Sequence, residues 1–502
     1  MSAIAHTASA ASAPAERAVG RLARWWPLVA LTLLAAVLRL ATLNLQSFWF
    51  DEAFTPVNVL HPSLWATLRS MVHSENTPPL WYVLEWADSR VLGTGEVALR
   101  LPTALAGIAT VPVASAIGRE LAGRRAALAC AALVAVNPLF VWYSQEARAY
   151  GLYVLTAALA LLCFLRARRQ PTGGRMAAFA VTGSLALLSH YFAVFLLIPM
   201  ALWLLWDPRT RRPALPAIAA IGAVGAALVP LILSQGGQNT QWIGEWALSS
   251  RLQAIPQYYL TGYSGQTLGH KWELLVALPI LAGLALGLWR MRARRGPRRE
   301  ALVALSIAGC GVLIPIALVA FGADYLAPRN LVGAMIPLAA LIAMIVVWPG
   351  TGRAGILLAA LVALTSLAVS IDVDRRADLQ RENWRDLAAD IAHGSSQRAI
   401  TTVLFGSAPL EYYLPGVRPM REHSSIVVDE IDETSNGALP AAASQPPAPG
   451  FRLVARLRVD GLSAYRFTSA VPRRISEAAL AGLVPAADHP YVLAPAGNSA
   501  SS

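Results

Sequence analysis

Phe48-Trp49-Phe50-Asp51-Glu52-Ala53-Phe54-Thr55 sets two adjacent carboxylates among bulky aromatics. The run follows an apolar stretch, residues 25–45, and a bilayer-crossing helix needs about 20 such residues. Ionisable groups at membrane depth are costly and by default mark function. The rest of the chain has to show which side of a membrane this pair faces.

The chain has 502 residues, 56% of them hydrophobic and 14% charged, with a mean hydropathy of +0.50. Soluble domains carry about 25% charged residues, so the composition is that of an integral membrane protein. The net charge of +12 does not mark a nucleic-acid binder, because most arginines cluster in short loops between apolar spans. Cys130, Cys163 and Cys310 lie inside or at the ends of those spans. They form neither a disulfide framework nor a metal-ligand spacing, and read as small apolar packing residues. Residues 1–24 are Ala/Ser-rich and carry Arg17, Arg21 and Arg24. No convincing cleavage site follows the apolar stretch, so it reads as an uncleaved first helix after a short cytoplasmic tail.

Eleven stretches are apolar enough to be candidate spans: 25–45, 96–118, 126–143, 149–166, 176–190, 192–206, 214–234, 272–290, 300–321, 330–348 and 353–371. With the N-terminus in the cytoplasm, the inner segments hold twenty cations, at 17–24, 119–125, 166–175, 209–212, 290–299 and 353. The outer loops before residue 372 hold seven: Arg69, Arg90, Arg100, Arg148, Arg251, Lys271 and Arg329. That bias agrees with the preference for cationic cytoplasmic loops. It places the polar peculiarities on the outer side: Asp51-Glu52, the 73–79 turn, the 144–150 segment, His190-Tyr191, the 235–271 loop and the 323–330 segment. Acids, aromatics and amides gathered on one side point to an outward-facing site.

Residues 46–95 form a long outer loop in which Pro62 to Met71 and Pro79 to Val91 read as short amphipathic surface helices. Thr77-Pro78-Pro79 is the turn between them. From Asp372 onward the pattern is α/β. A helix is expected over Asp378 to His393, a strand over Ala399 to Phe405, a short helix over Ala408 to Leu414, and a flexible linker at 436–450. Two strands flank the Asp460-Gly461 turn within Phe451 to Phe467. The expected organisation is a tail (1–24), a mainly α transmembrane domain (25–371) and a small extracytoplasmic α/β module (372–502).

Four motifs occur in order: SFWFDEAFT (47–55), NTPPLWY (76–82), LRLPTALAGIATVPVASAIGRELAGRR (99–125) and NPLFVWYSQEARAYGLY (137–153). Together with Ser189-His190-Tyr191-Phe192, Arg329-Asn330-Leu331 and Asn383-Trp384-Arg385, they resemble bacterial glycosyltransferase family 39. That group comprises the protein-mannosyltransferase-like and aminoarabinose-transferase-like membrane enzymes of the GT-C fold. The resemblance covers about residues 20–420. It implies a polytopic GT-C fold and transfer of a hexosyl or pentosyl group from a polyprenyl-phosphate donor. The acceptor is a lipid, polysaccharide or protein on the periplasmic side of a bacterial inner membrane. Asp51 matches the first-loop catalytic acid of such enzymes. Glu75 lies near a position where relatives carry a metal-binding or structural acid. Arg329 matches a late-loop arginine, although Asn330 stands where many relatives have an aromatic.

The chemistry suits these residues. Lipid phosphate is already a good leaving group, so the enzyme must deprotonate an acceptor and steady the departing phosphate. A carboxylate, Asp51 or Glu52, suits the first task. One base and direct displacement invert the anomeric centre. Guanidinium groups suit the second, because they grip phosphate with two parallel hydrogen bonds. Arg148 and Arg329 are the outer candidates, with Lys271 (the chain's single lysine) and His270 beside them. Glu75, Glu146, His190 and Tyr191 complete the expected substrate-binding set. Trp49, Phe50, Trp81 and Tyr82 suit a prenyl groove or stacking on a sugar. Blander readings exist: Glu146 and Arg148 as a structural ion pair, Arg329 as a headgroup anchor, and Trp25 and Trp26 as interfacial aromatics. A divalent ion would neutralise a departing phosphate, yet no clustered His/Cys spacing or Asp-x-Asp run marks a site, and the metal stays open. Arg39, inside the first span, has no role legible in sequence. Two other functions compete: a flippase of lipid-linked sugars, and a non-catalytic envelope assembly protein. Flippases and other transporters place charges near the midplane and show internal repeats; this chain shows neither.

Overall fold

A computed structural model of the full chain describes residues 25–236, 240–262, 278, 281–283, 285–287, 289–290, 295–348, 352–437, 445–482, 490–496 and 499–500. These belong to two compact units. The first comprises Met1–Ala41, Glu75–Trp81 and Arg100–Asp372; the second comprises Thr42–Ser74, Tyr82–Leu99 and Val373–Ser502.

Six described helices are long and apolar enough to cross a membrane: Glu96–Val136, Tyr150–Arg169, Pro208–Gln235, Arg298–Val319, Pro328–Val346 and Arg353–Arg375. Trp25–Leu40 and Tyr191–Trp206 are shorter apolar helices, and Gly173–Ser189 is another helix of 17 residues. The 41-residue helix is two helices in succession. Ala122 and Gly123 leave helical geometry, and Gly123 takes φ 80°, which a side chain would resist. The expected span 126–143 is likewise interrupted. Its helix stops at Val136, and Asn137 caps a second helix, Pro138–Ser144, by accepting from the amides of Leu139 and Phe140. Pro138 at the first position of the new helix has no amide to give the old one, and its fixed φ suits a helix start. Candidate span 272–290 lies mostly outside the described residues.

Helix polarity separates two ends in the first unit. Tyr150–Arg169 finishes in Arg166, Arg168 and Arg169, and Pro208–Gln235 begins at Arg209, Arg211 and Arg212. At that end Glu120 pairs with Arg166 and Arg169, Arg168 with Glu300, and Asp207 with Arg209 and Arg299.

The second unit holds the small module. Its strands are β1 (Arg398–Thr402), β2 (Val417–Pro419), β3 (Ser425–Asn436), β4 (Phe451–Val459), β5 (Leu462–Ser476), β6 (Tyr491–Pro495) and β7 (Ser499–Ala500). They form one sheet in the order β2-β6-β1-β3-β5-β4, with β7 on β3. β1 and β3 run parallel, with Ile400 opposite Asp432. Helices Trp384–Ala392 and Leu404–Tyr413 pack Trp384, Leu387, Ile391 and Leu410 against Ile400, Leu462 and Leu493. Ile431, Phe467, Val492 and Leu480 belong to a second core. The Asp460-Gly461 turn is as expected, both residues having positive φ (39° and 88°). The sequence-based outline is corrected at three places. β1 ends at Thr402 and Leu404 already starts a helix. The expected helix over Asp378 to His393 is a 3-10 turn, Ala377–Leu379, followed by Trp384–Ala392 behind an Asn383 cap. β3 was not anticipated.

β3 carries acids into the module. Asp432 is fully buried and accepts from Arg466 Nε at 2.8 Å. Glu433, beside Thr401 and Tyr465 in register, is 3% exposed, and burial pushes its carboxyl up to about 7. An unfolded glutamate titrates at about 4.3. The contribution of the neutral carboxyl is therefore complete below that value and is lost as pH rises through about 7. Glu433→Gln should consequently gain thermal stability relative to wild type on going from pH 5 to pH 8, measured as the difference in unfolding midpoint of the purified full-length chain. An unchanged difference at the two pH values would contradict the assignment.

Candidate functional site

The non-helical stretch Gln145 to Ala149 joins the helices Pro138–Ser144 and Tyr150–Arg169. Arg148 leaves it to grip Glu75 in a fork, Nη1 to Oε1 at 2.9 Å and Nη2 to Oε2 at 2.8 Å. Glu75 is 4% exposed, so this is a desolvated, doubly hydrogen-bonded pair rather than a surface one. The carbonyl of Glu146 accepts from Thr103 Oγ1 at 3.0 Å. Gly151 has no room for a side chain, because a Cβ there would lie 3.0 Å from Thr103. That close approach is what lets the stretch lie against the helix that carries Thr103.

His190 is nearly buried and stacks on Tyr153 at 4.7 Å, with Tyr150 and Phe192 around it. Its Nδ1 accepts from the amide of Phe192 at 3.2 Å, capping the turn Tyr191–Ala193. A neutral ring held this way keeps its proton on Nε2 and presents it as a donor. Tyr150, two residues after Arg148, lies 5.8 Å from His190, and Tyr153 reaches from His190 to Gly333 on the turn that carries Arg329, so the segments bearing Arg148, His190 and Arg329 meet in the first unit. They meet at the start of Tyr150–Arg169, the end opposite the arginine-rich one.

Three further sets of contacts were not legible in sequence. Tyr191 donates to Gln235 Oε1 at 2.7 Å, and Gln235 Nε2 donates to the carbonyl of Thr77 at 3.4 Å. Arg251 grips Asp324 by two bonds of 2.6 and 2.9 Å and also donates to the carbonyl of Leu326 at 3.2 Å. Tyr259 donates to the carbonyl of Leu331 at 2.9 Å. These contacts fix the approach to the 3-10 turn Pro328–Ala334, on which Arg329 lies over the Trp242 ring at 5.0 Å. Gly333 admits the Tyr153 side chain, whose hydroxyl would collide with any Cβ there.

In the second unit, Asp51 and Glu52 occupy the first turn of the five-residue helix Phe50–Phe54. Asp51 is half-buried. Glu52 is fully buried, 3.8 Å from Arg381 Nε. The turn rests on the C-terminal part of the chain. Ser47 Oγ donates to the carbonyl of Glu382 at 2.7 Å and accepts from the amide of Trp384 at 3.1 Å. The Phe48 amide donates to Tyr413 Oη at 2.7 Å, and Tyr413 in turn donates to Glu96. Arg385 grips Glu96 at 2.5 and 3.3 Å. Phe48 packs on Tyr412 and Phe50 on Phe405. Trp384 and Arg385 thus hold the Asp51 turn.

Lys271 and His270 lie outside the described residues. Among the described residues no group of three or more His, Cys, Asp or Glu side chains is arranged to hold a metal ion.

The family model described as dolichyl-phosphate-mannose-protein mannosyltransferase matches residues 76–234. No curated protein matches the chain in sequence. The structure of ArnT from Cupriavidus metallidurans bound to undecaprenyl phosphate is similar, with 15% identity, 87% of this chain and 97% of that chain covered, and a TM-score of 0.51. The apo ArnT structure gives 14% identity over the same shares and a TM-score of 0.52. The Archaeoglobus fulgidus oligosaccharyltransferase in complex with Zn and sulfate gives 16% identity, 78% and 57% coverage, and a TM-score of 0.47. The chain therefore has the GT-C membrane glycosyltransferase fold that its motifs imply.

Arg251 holds the Asp324 carboxyl below the usual carboxylate range. That stabilisation is present above the unfolded pKa of about 3.9 and is lost as pH falls through the lower folded value. Asp324→Asn should cost about 1–3 kcal/mol at pH 7, and its deficit against wild type should close below about pH 4. Unfolding midpoints across pH 3 to 7 check this.

Proposed function

We propose that this protein is an inverting glycosyltransferase that moves a sugar from a polyprenyl-phosphate donor to an acceptor on the outer face of the membrane. The observation that carries the reading is the meeting of the segments that bear Arg148, Arg329 and the Nε2 donor of His190, joined through Tyr150, Tyr153 and Gly333. It gathers two guanidinium groups and a neutral donor where transmembrane helices end, away from the arginine-rich loops. Such a cluster suits an anion at the membrane boundary better than a sugar or a peptide. A similar fold has been captured with undecaprenyl phosphate. In this reading Arg148 and Arg329 hold the lipid phosphate, and Glu75 keeps the Arg148 fork pre-oriented. Tyr191, with Gln235, orients the substrate beside them.

Asp51 takes the proton from an acceptor hydroxyl or amine. The acceptor's lone pair then forms a bond to the anomeric carbon, the bond from that carbon to the phosphate oxygen breaks, and the lipid phosphate leaves with the electron pair. A single displacement inverts the configuration. Glu52, buried against Arg381, fixes the turn that presents Asp51, and Glu146 orients the acceptor.

Purified protein with a radiolabelled polyprenyl-phosphate sugar and envelope extract tests the reading. Asp51→Asn should lower transfer about 10²- to 10⁴-fold, the usual worth of a general base. Full transfer by a folded Asp51→Asn protein would sink the assignment. Movement of label across vesicles with no transfer would favour the flippase reading. Sidedness is checked separately. A cysteine at Val471, exposed on β5, should react with an impermeant thiol reagent applied to the periplasmic side of intact inner membranes. Reaction only after the membrane is broken would reverse the topology.

A further inference from the structure

We infer that Arg39 is a positioning residue, which sets the Gln145 to Ala149 stretch and through it Glu146 and Arg148. The inference rests on the assignment of Arg148 to the lipid phosphate.

Arg39 lies on the helix Trp25–Leu40 and is fully buried. No carboxylate among the described residues pairs with it. Its guanidinium instead donates to the carbonyls of Val134 (3.2 Å) and Ala135 (2.9 Å), to Ala35 (3.3 Å) and to Ser144 Oγ (3.2 Å). The two carbonyls on the neighbouring helix are those the Asn137-Pro138 break leaves without a helical donor. Val134 would be served by residue 138, which is proline and has no N–H. Ala135 would be served by Leu139, whose amide goes to the Asn137 side chain. In hydrocarbon an unserved carbonyl is a heavy cost, and a planar group with several fixed donors can satisfy both at once.

The capping is reciprocal. Helix Trp25–Leu40 also ends with unserved carbonyls, and Gln145 Nε2 donates to two of them, Leu38 (3.3 Å) and Arg39 (3.2 Å). Ser144, held by Arg39 Nε, turns its hydroxyl onto the Phe140 carbonyl. Gly107 leaves the space for this arrangement, since a Cβ there would meet both Ser144 and Arg39. Ser144 and Gln145 are thus pinned from the first helix, and Glu146 and Arg148 follow within three residues. Lysine at position 39 would retain the charge, but its compact ammonium cannot span carbonyls and hydroxyl in the same fork.

The full-length protein carrying Arg39→Lys, Arg39→Met, Gln145→Ala or Arg148→Ala would be compared for amide exchange and for transfer kinetics. In Arg39→Lys and Gln145→Ala, exchange across residues 144–149 should quicken while the interior of Tyr150–Arg169 stays protected. Transfer should fall about tenfold to about a hundredfold in kcat/KM for the donor, as when a reacting geometry slips by a fraction of an ångström. Gln145→Ala keeps the test available if the Arg39 variants do not fold. Unchanged exchange over 144–149 in folded Arg39→Met overturns the inference. So does quickened exchange with unchanged transfer, given that Arg148→Ala has lost transfer. Full transfer by folded Arg148→Ala refutes the phosphate assignment itself, and the inference falls with it, whatever the exchange of the Arg39 variants shows.

Discussion

One missing hydrogen governs the first unit. Pro138 has no amide proton to give the Val134 carbonyl, and the helix before it ends at Val136, so its last carbonyls need donors that are not backbone. The Asn137 side chain serves the new helix start, and Arg39 serves the old helix end. A polypeptide crossing lipid has few places where irregular backbone is tolerable, and all lie within protein or along a cavity. The SQEAR stretch is such a place. Its irregularity lets Arg148 leave the helix axis and reach Glu75.

The second unit meets a different constraint. A five-residue helix carrying two carboxylates, Phe50–Phe54, is far below the length at which an isolated helix is stable. Its order comes from partners: Ser47 on Glu382 and Trp384, Phe48 on Tyr413, Glu52 on Arg381, and the ring pairs with Tyr412 and Phe405. The carboxylates differ accordingly. Glu52 is fully buried and ion-paired, whereas Asp51 is only half-buried. The α/β module is thus more than an appendage, because its helix Trp384–Ala392 and the residues Arg381 and Glu382 just before it hold the turn on which the chemistry is proposed to depend.

Apolar stretches made the membrane character and the long apolar helices legible, because both follow from the bilayer as solvent. The Asp460-Gly461 hairpin was legible because the positive φ values it needs favour that pair. β3 was not, since Ser425–Asn436 carries Asp429, Glu430, Asp432 and Glu433 where alternation would call for apolar residues. Its acids are tolerated by Arg466, which sits opposite Asp432 only once the sheet exists. Arg39 stayed mute because its partners are backbone carbonyls, which no residue pattern advertises. Arg251 with Asp324, and Tyr191 with Gln235, are long-range pairs, and a single sequence offers nothing that joins them. Glu75, Arg148, His190 and Arg329 stood out by their types, whereas the Glu75–Arg148 pairing came only with the fold.

The contact between Ser47 and Glu382 spans 335 residues. A ribosome making about 5–20 residues per second needs roughly 20 to 70 seconds to cover that distance. During that interval the first helix and several later ones are already available for insertion, but the Asp51 turn has nothing to fold upon. A chain that stops early therefore holds membrane helices without an ordered carboxylate turn. The fold thereby ties the ordering of the Asp51 turn to the late arrival of the Glu382–Trp384 segment.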